Sequence, residues 1–254
     1  MTSRRQPFVA ALLVAATLLA GSTAGASGAR AALAVLPLSG VVIAVDPGHD
    51  GGNASHPAAI SKLVWSGIAW KACNTVGTAT ASGYAEHRFN WAVAVRVRER
   101  LESLGATVYL TRPDDTGVGP CVDVRGRFGA SVHADLTLSI HGNGAPSSAK
   151  GFFVMRPGLI DGYTDDILAS SKRLALAVRA GLLGQGLPIA NYYTSTGIKV
   201  RRDLATLNRS DVPVVMVELG NMKNASDAAR MSSRTGRDRY AAGLVAGIRR
   251  YLGR

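Results

Sequence analysis

Three short apolar runs in this chain each end on a residue that can bind a cation or move a proton. They are VVIAVDPGHDGG (41–52), DLTLSIHGNG (135–144) and VPVVMVELGN (212–221). In the first, a Val/Ile-rich strand is cut by Asp46-Pro47-Gly48, and His49 follows at once. A short apolar run closed by turn residues reads as a buried strand of an α/β domain. Its carboxyl end is where open α/β sheets place their ligands. The second and third runs repeat the pattern with His141 and Glu218. Buried parallel strands align their carboxyl ends along one edge, so three residues far apart in the chain can meet there.

The rest of the chain alternates helix and strand. Glu86 opens a helix whose inward stripe runs Phe89, Val93, Val97, Leu101 and Leu104, and Gly105 ends it. Glu86 lies three residues before Phe89, on the same stripe, and Asn90 one turn on is placed to hydrogen-bond its carboxylate. Further strands are expected at 106–111, 151–155 and 197–200. Helices are expected at 122–132, with Arg125 and Arg127 facing outward, at 165–183, and in a closing segment through Tyr240, Leu244, Ile248 and Leu252. The expected fold is therefore α/β, a single twisted, mostly parallel sheet with helices on both faces. Residues 53–84 read as a long polar excursion that includes a hairpin, with Trp65, Trp70 and Cys73. A loop of that length inside a compact domain is usually functional or disordered.

Residues 1–29 have the layout of a secretion signal: Arg4 and Arg5, an apolar Phe8–Ala20, then small residues with Ala24-Gly25-Ala26 as a cleavage motif. This leaves 30–254 as one domain, expected outside the cytoplasm with no stable membrane insertion after processing. Removing Arg4 and Arg5, with no acid among residues 1–29, lowers the net charge from +12 to +10. Such an excess suits an anionic partner. No basic run exceeds two residues and none interleaves with aromatics, which argues against nucleic acid. Cys73 and Cys121 are the only cysteines, and in an exported chain they are expected to form a disulfide. By the loop-entropy argument such a bridge contributes on the order of 4 kcal/mol.

Two neutral imidazoles and one carboxylate make a hydrolytic zinc site with an open fourth position. A second carboxylate outside the ligand set then handles the proton of the attacking water. Spacing alone leaves open which of Glu86 and Glu218 is ligand and which is base.

The blocks VDPGHDGG, EHRFN, ADLTLSIHGNG and VELGNMKN, with LGATVYLTR between them, resemble the signature segments of the zinc-dependent N-acetylmuramoyl-L-alanine amidases. These are the peptidoglycan amidases related to the bacterial division amidases, and the resemblance runs from about residue 40 to 253. It implies one Zn²⁺ per chain on His49, Glu86 and His141, with Glu218 as general base. It also implies peptidoglycan or muropeptides as substrate, hydrolysed between N-acetylmuramic acid and the L-alanine of the stem peptide. Some members insert a helix after the third-block histidine that plugs the site; residues 144–165 are too few for one.

Asn143 and Arg201 are the expected substrate contacts, and a monomer is expected. His56, His87, His133, Arg202, Trp65 and Trp70 are expected to be surface or packing residues. Control of access would fall to the 53–84 excursion, pinned by Cys73 and Cys121. The rival readings are another exported zinc hydrolase, a peptidase or sugar deacetylase, and a non-catalytic wall-binding module.

Overall fold

The computed structural model describes residues 1–2 and 35–254, so the secretion signal read from residues 1–29 lies outside the described part apart from its first two residues. In chain order the domain runs β1 (Val42–Pro47), α1 (Pro57–Ile60), β2 (Leu63–Trp65), β3 (Trp70–Ala72), α2 (Glu86–Ser103), β4 (Thr107–Leu110), α3 (Val122–Ser131) and β5 (Leu136–Asn143). It continues with β6 (Phe153–Pro157), α4 (Leu168–Gly184), β7 (Ile198–Arg201), α5 (Ala205–Asn208), β8 (Val214–Asn221), α6 (Ala225–Ser232) and α7 (Arg234–Leu252). Six strands form one sheet in the order β4-β1-β5-β8-β6-β7, and β2 and β3 form a separate hairpin. The four strands β4, β1, β5 and β8 are mutually parallel. β6 runs antiparallel to β8 and carries β7 parallel to itself. The expected mostly parallel α/β sheet is thus present.

Alternation along the strands sorts the two faces. Ile43, Val45, Leu136, Leu138, Ile140, Val215 and Val217 belong to the main apolar core. That core is closed by α2, α4 and α7, with Phe89 edge-on to Tyr240. Each of these fully buried aliphatic side chains contributes about 1.5–3 kcal/mol. The alternate residues, among them Asp46, Thr137, Ser139, His141 and Glu218, point to the other face, under α3 and α5.

That second face explains one departure from expectation. Arg127 does face outward, pairing with Asp123. Arg125 does not: it is 2% exposed and lies beneath α3 against Asp46. The buried stripe of α3 is Arg125, Gly126 and Gly129, with a Cβ at Gly129 overlapping Thr137. A helix that turns small residues and a charge inward has no apolar period to read. The chain between Val212 and the C-terminus also differs, because Ser233 accepts from Gly236 N and starts α7, separating it from an unforeseen α6.

The excursion holds the β2–β3 hairpin, where Trp65 and Trp70 pack edge-to-face and Trp65 Nε1 donates to Tyr163 Oη. Cys73 at its end is bonded to Cys121 at the start of α3. The bridge closes a loop of 48 residues in sequence separation. A Cys73→Ser, Cys121→Ser double variant is expected to lose about 2–4 kcal/mol of stability. Urea unfolding, with and without reductant on the wild type, measures this; an unchanged midpoint would rule out a stabilising bridge.

Candidate active site

His49, His141 and Glu86 come from three elements and meet at the carboxyl edge of the sheet. Gly48 N donates to Ile140 O at 3.0 Å, drawing the end of β1 against β5. His49 then turns in the left-handed region, with φ +59°. Gly48 must be glycine, because a Cβ there would overlap the His141 ring. Glu86 occupies the first turn of α2, where the helix dipole favours a carboxylate. Its Oε1 lies 3.1 Å from His49 Nε2 and 3.0 Å from His141 Nδ1. One nitrogen or oxygen from each of the three residues falls within 4.8 Å of the others, so the trio could hold a metal ion.

The surroundings fix these side chains. His49 Nδ1 is 2.9 Å from the Thr75 carbonyl, which leaves Nε2 facing Glu86. Glu86 Oε2 accepts from Thr78 N at 2.9 Å. Its Oε1 accepts from Gly142 N at 3.2 Å and from Asn90 Nδ2 at 3.4 Å, so the expected Asn90 contact is present. Thr78 acts through its backbone amide and Thr75 chiefly through its carbonyl, with its Oγ1 also 3.2 Å from His49 Nδ1; backbone contacts are ones no residue pattern announces. The two threonines belong to a strap, residues 73–78, tied down by the disulfide.

The electrostatics suit a cation. Burial opposes charge on His49, and the adjacent Glu86 carboxylate outweighs it and raises the imidazole pKa. Burial likewise disfavours the Glu86 carboxylate, yet His49 and His141 hold its pKa well below the usual range. Glu218 is the Cα register partner of His141 across β5 and β8. Its Oε2 is covered and has no hydrogen-bond partner among the described residues. Burial first, and the Glu86 charge second, push its pKa well up. In the absence of a cation, two carboxylates cannot both ionise cheaply in so confined a space.

His49, Glu86, His141 and Glu218 line one groove of about 700 Å³. Asn143 and Arg201 line it too. Asn143 Nδ2 donates to Tyr192 Oη at 2.8 Å. Arg201 forms a two-pronged pair with Asp203, 2.7 Å on each prong, and also donates to Tyr193 Oη. From the excursion, Lys71 and Ala72 reach the same groove. His133 and His56 are exposed. His87 is half-buried and sits 2.9 Å from Asp115. Between β5 and β6 the chain contains no helix.

Sequence reading passed over Asp46 and Arg125. Asp46 looks like the start of a turn, but its carboxylate accepts from Thr111, Ser139 and Arg125 in the buried second face. Thr137 and Ser139 alternating with leucine and isoleucine were the available signal that this face carries polar partners.

Known proteins share the sequence and fold that carry this groove. The family model described as N-acetylmuramoyl-L-alanine amidase matches residues 43–250. The N-acetylmuramoyl-L-alanine amidase Rv3717 of Mycobacterium tuberculosis is 38% identical over 244 residues, which is 94% of this chain and 97% of that protein. The crystal structure of the amidase Ami1 of Mycobacterium smegmatis superposes with a TM-score of 0.80 at 38% identity, over 85% of this chain and 98% of that one. The apo Ami1 of Mycobacterium abscessus gives 0.80 at 40% identity, over 85% of this chain and all of that one. With the match running through every strand of the sheet from β1 to β8, this chain belongs to the N-acetylmuramoyl-L-alanine amidase family.

Proposed function

We propose that residues 30–254 form an exported, zinc-dependent amidase that cleaves the amide between N-acetylmuramic acid and the L-alanine of the stem peptide. The observation carrying this is the convergence of His49 Nε2, Glu86 Oε1 and His141 Nδ1, with Glu218 beside them in register with His141. Two imidazoles and a carboxylate are a donor set that fits Zn²⁺ and leaves a position free. Bound there, the ion would supply Lewis acidity to the scissile carbonyl and acidify a water.

The chain's own residues do the rest. Glu218 takes the proton of the attacking water and returns it to the leaving amine of L-alanine. Its uncommitted Oε2 suits that exchange. Glu86, held by Thr78 N, Gly142 N and Asn90, stays ionised as a ligand rather than competing for the proton. Asn143 and Arg201 position the glycan–peptide junction along the groove. The positive surface concentrates the anionic wall polymer near it.

Export rests on the Arg-led apolar segment before residue 30 and on the disulfide, which persists in oxidising compartments. In the described residues no helix is long and apolar enough to cross a membrane. The working unit is taken to be a monomer.

Digestion of purified muropeptides followed by mass spectrometry tests the proposal. A free L-alanine amino terminus on the released peptide is the expected product, lost on chelation and restored by zinc. Cleavage inside the peptide or loss of acetate would instead reveal the peptidase or the deacetylase. Metal binding with no product of any kind would leave a wall-binding module.

A further inference from the structure

Arg125 is 2% exposed and lies in the floor of the groove, beneath the turn that carries His49. Its guanidinium donates to three backbone carbonyls and two side chains. Nε donates to Pro120 O at 2.9 Å, Nη1 to Pro47 O at 2.9 Å, and Nη2 to His49 O at 2.9 Å. Nη1 also donates to Asp46 Oδ1 at 2.6 Å, and Asp46 is in turn held by Thr111 and Ser139 at 2.7 Å each. The fork therefore grips the chain on both sides of Gly48, and it also reaches the residue preceding Cys121.

His49 adopts φ +59°, a conformation that a residue with a Cβ enters only when its surroundings hold it. Two of the five groups that Arg125 binds are the carbonyls flanking that turn, the fifth being Thr111 Oγ1 at 3.3 Å. A planar fork with fixed donor directions imposes an angle on a backbone in a way that a single ammonium does not.

We infer that Arg125 is a positioning residue for the metal centre, fixing the left-handed turn that aims the His49 imidazole at Glu86 and His141. This rests on the reading of those three residues as metal ligands. Asp46 serves as the counter-charge that allows Arg125 to be buried. Burial on its own would raise the Asp46 carboxyl, and Arg125 with Thr111 and Ser139 holds it below its ordinary value. Thr75 O orients the His49 ring from one side, and Arg125 sets its backbone from the other.

The test is zinc affinity of the metal-free protein, by competition with a chromogenic chelator, at a temperature where circular dichroism shows each variant folded. Arg125→Lys keeps the charge beside Asp46 and loses the fork; zinc should bind about 10- to 100-fold more weakly, as when a group supporting a ligand is removed. Arg127→Lys, on the outer side of the same helix, should bind zinc like the wild type. Because Arg125→Lys could fail to fold, Gly119→Ala supplies a second probe. A Cβ there would overlap Arg125 Nη2, pushing it off the His49 carbonyl while both charges remain. Its zinc affinity should also fall, by several-fold or more. A role confined to stability would lower the melting temperature and leave affinity per folded molecule unchanged. Wild-type affinity in folded Gly119→Ala or folded Arg125→Lys overturns the inference. Failure of the wild type itself to bind zinc would instead overturn the metal reading on which it rests.

Discussion

Glu218→Gln is expected to lower kcat for muropeptide hydrolysis by about 10²–10⁴-fold while zinc remains bound at wild-type affinity. The side chain is not one of the three that converge on a common point, so its loss leaves the ligand set whole. Glutamine keeps the size and removes the carboxylate's charge together with its capacity to accept a proton. In a zinc titration alongside single-turnover kinetics, retained binding with lost turnover separates a proton carrier from a ligand. Turnover within tenfold of the wild type would remove Glu218 from the mechanism. A second consequence follows from its raised pKa in the metal-free protein. A carboxyl raised on folding adds stability that is fully present below its unfolded pKa and lost as pH climbs through the folded value. Metal-free Glu218→Gln does not suffer that loss, so it should melt above the metal-free wild type at neutral and alkaline pH. The gap should close toward pH 4.

Asp46→Ala is the substitution expected to damage the fold most, by about 3–5 kcal/mol, because it strands a buried guanidinium without its counter-charge. Arg125 is 2% exposed, and the second buried arginine, Arg112, donates to the same Pro47 carbonyl at 3.0 Å. Two cations under one turn with one carboxylate removed cannot both remain in place cheaply. For a domain of this size the melting temperature should fall by roughly 10 °C. Asp238 offers the contrast. It is 38% exposed and is approached by Arg96, Arg100 and Arg234 at the surface. Asp238→Ala should therefore cost no more than about 1 kcal/mol. Differential scanning calorimetry of the two variants decides the matter; equal small losses would show that the buried pair stabilises no more than a surface one. The Asp46 contribution also has a pH signature. A carboxyl whose pKa is lowered on folding adds stability above its unfolded pKa, lost as pH falls through the folded value. The difference between wild type and variant should accordingly shrink under strongly acid conditions.

Several features of this protein were legible in residue order. Strands β1, β5 and β8 could be placed from Val/Ile/Leu-rich runs closed by turn residues. The long α2 announced itself by Phe89, Val93, Val97 and Leu101, all fully buried. The meeting of His49 and His141 was legible because parallel strands share a carboxyl edge, and Glu86 joins them as the first residue of a helix packed on the same sheet. Local periodicity fails where a side chain's partner lies on another element. Arg125 looked like one of two outward arginines on α3, and only the packing of that helix over Thr137 and Ser139 shows which of them turns in. Asp46 looked like turn chemistry, and its partners Thr111, Ser139 and Arg125 lie 65, 93 and 79 residues away.

The candidate residues and the sheet that gathers them were thus legible in the sequence, His49, His141 and Glu218 from the ends of apolar strands and the part given to Glu86 from the resemblance to the amidase family. The tertiary structure alone decided how the centre is held: the strap whose Thr75 carbonyl and Thr78 amide clasp His49 and Glu86, and the buried arginine gripping the turn at His49. Those contacts use backbone atoms and an internal ion pair. Neither leaves a periodic trace, since a backbone group is common to every residue and a charge is read as solvent-facing until its counter-charge is found across the fold.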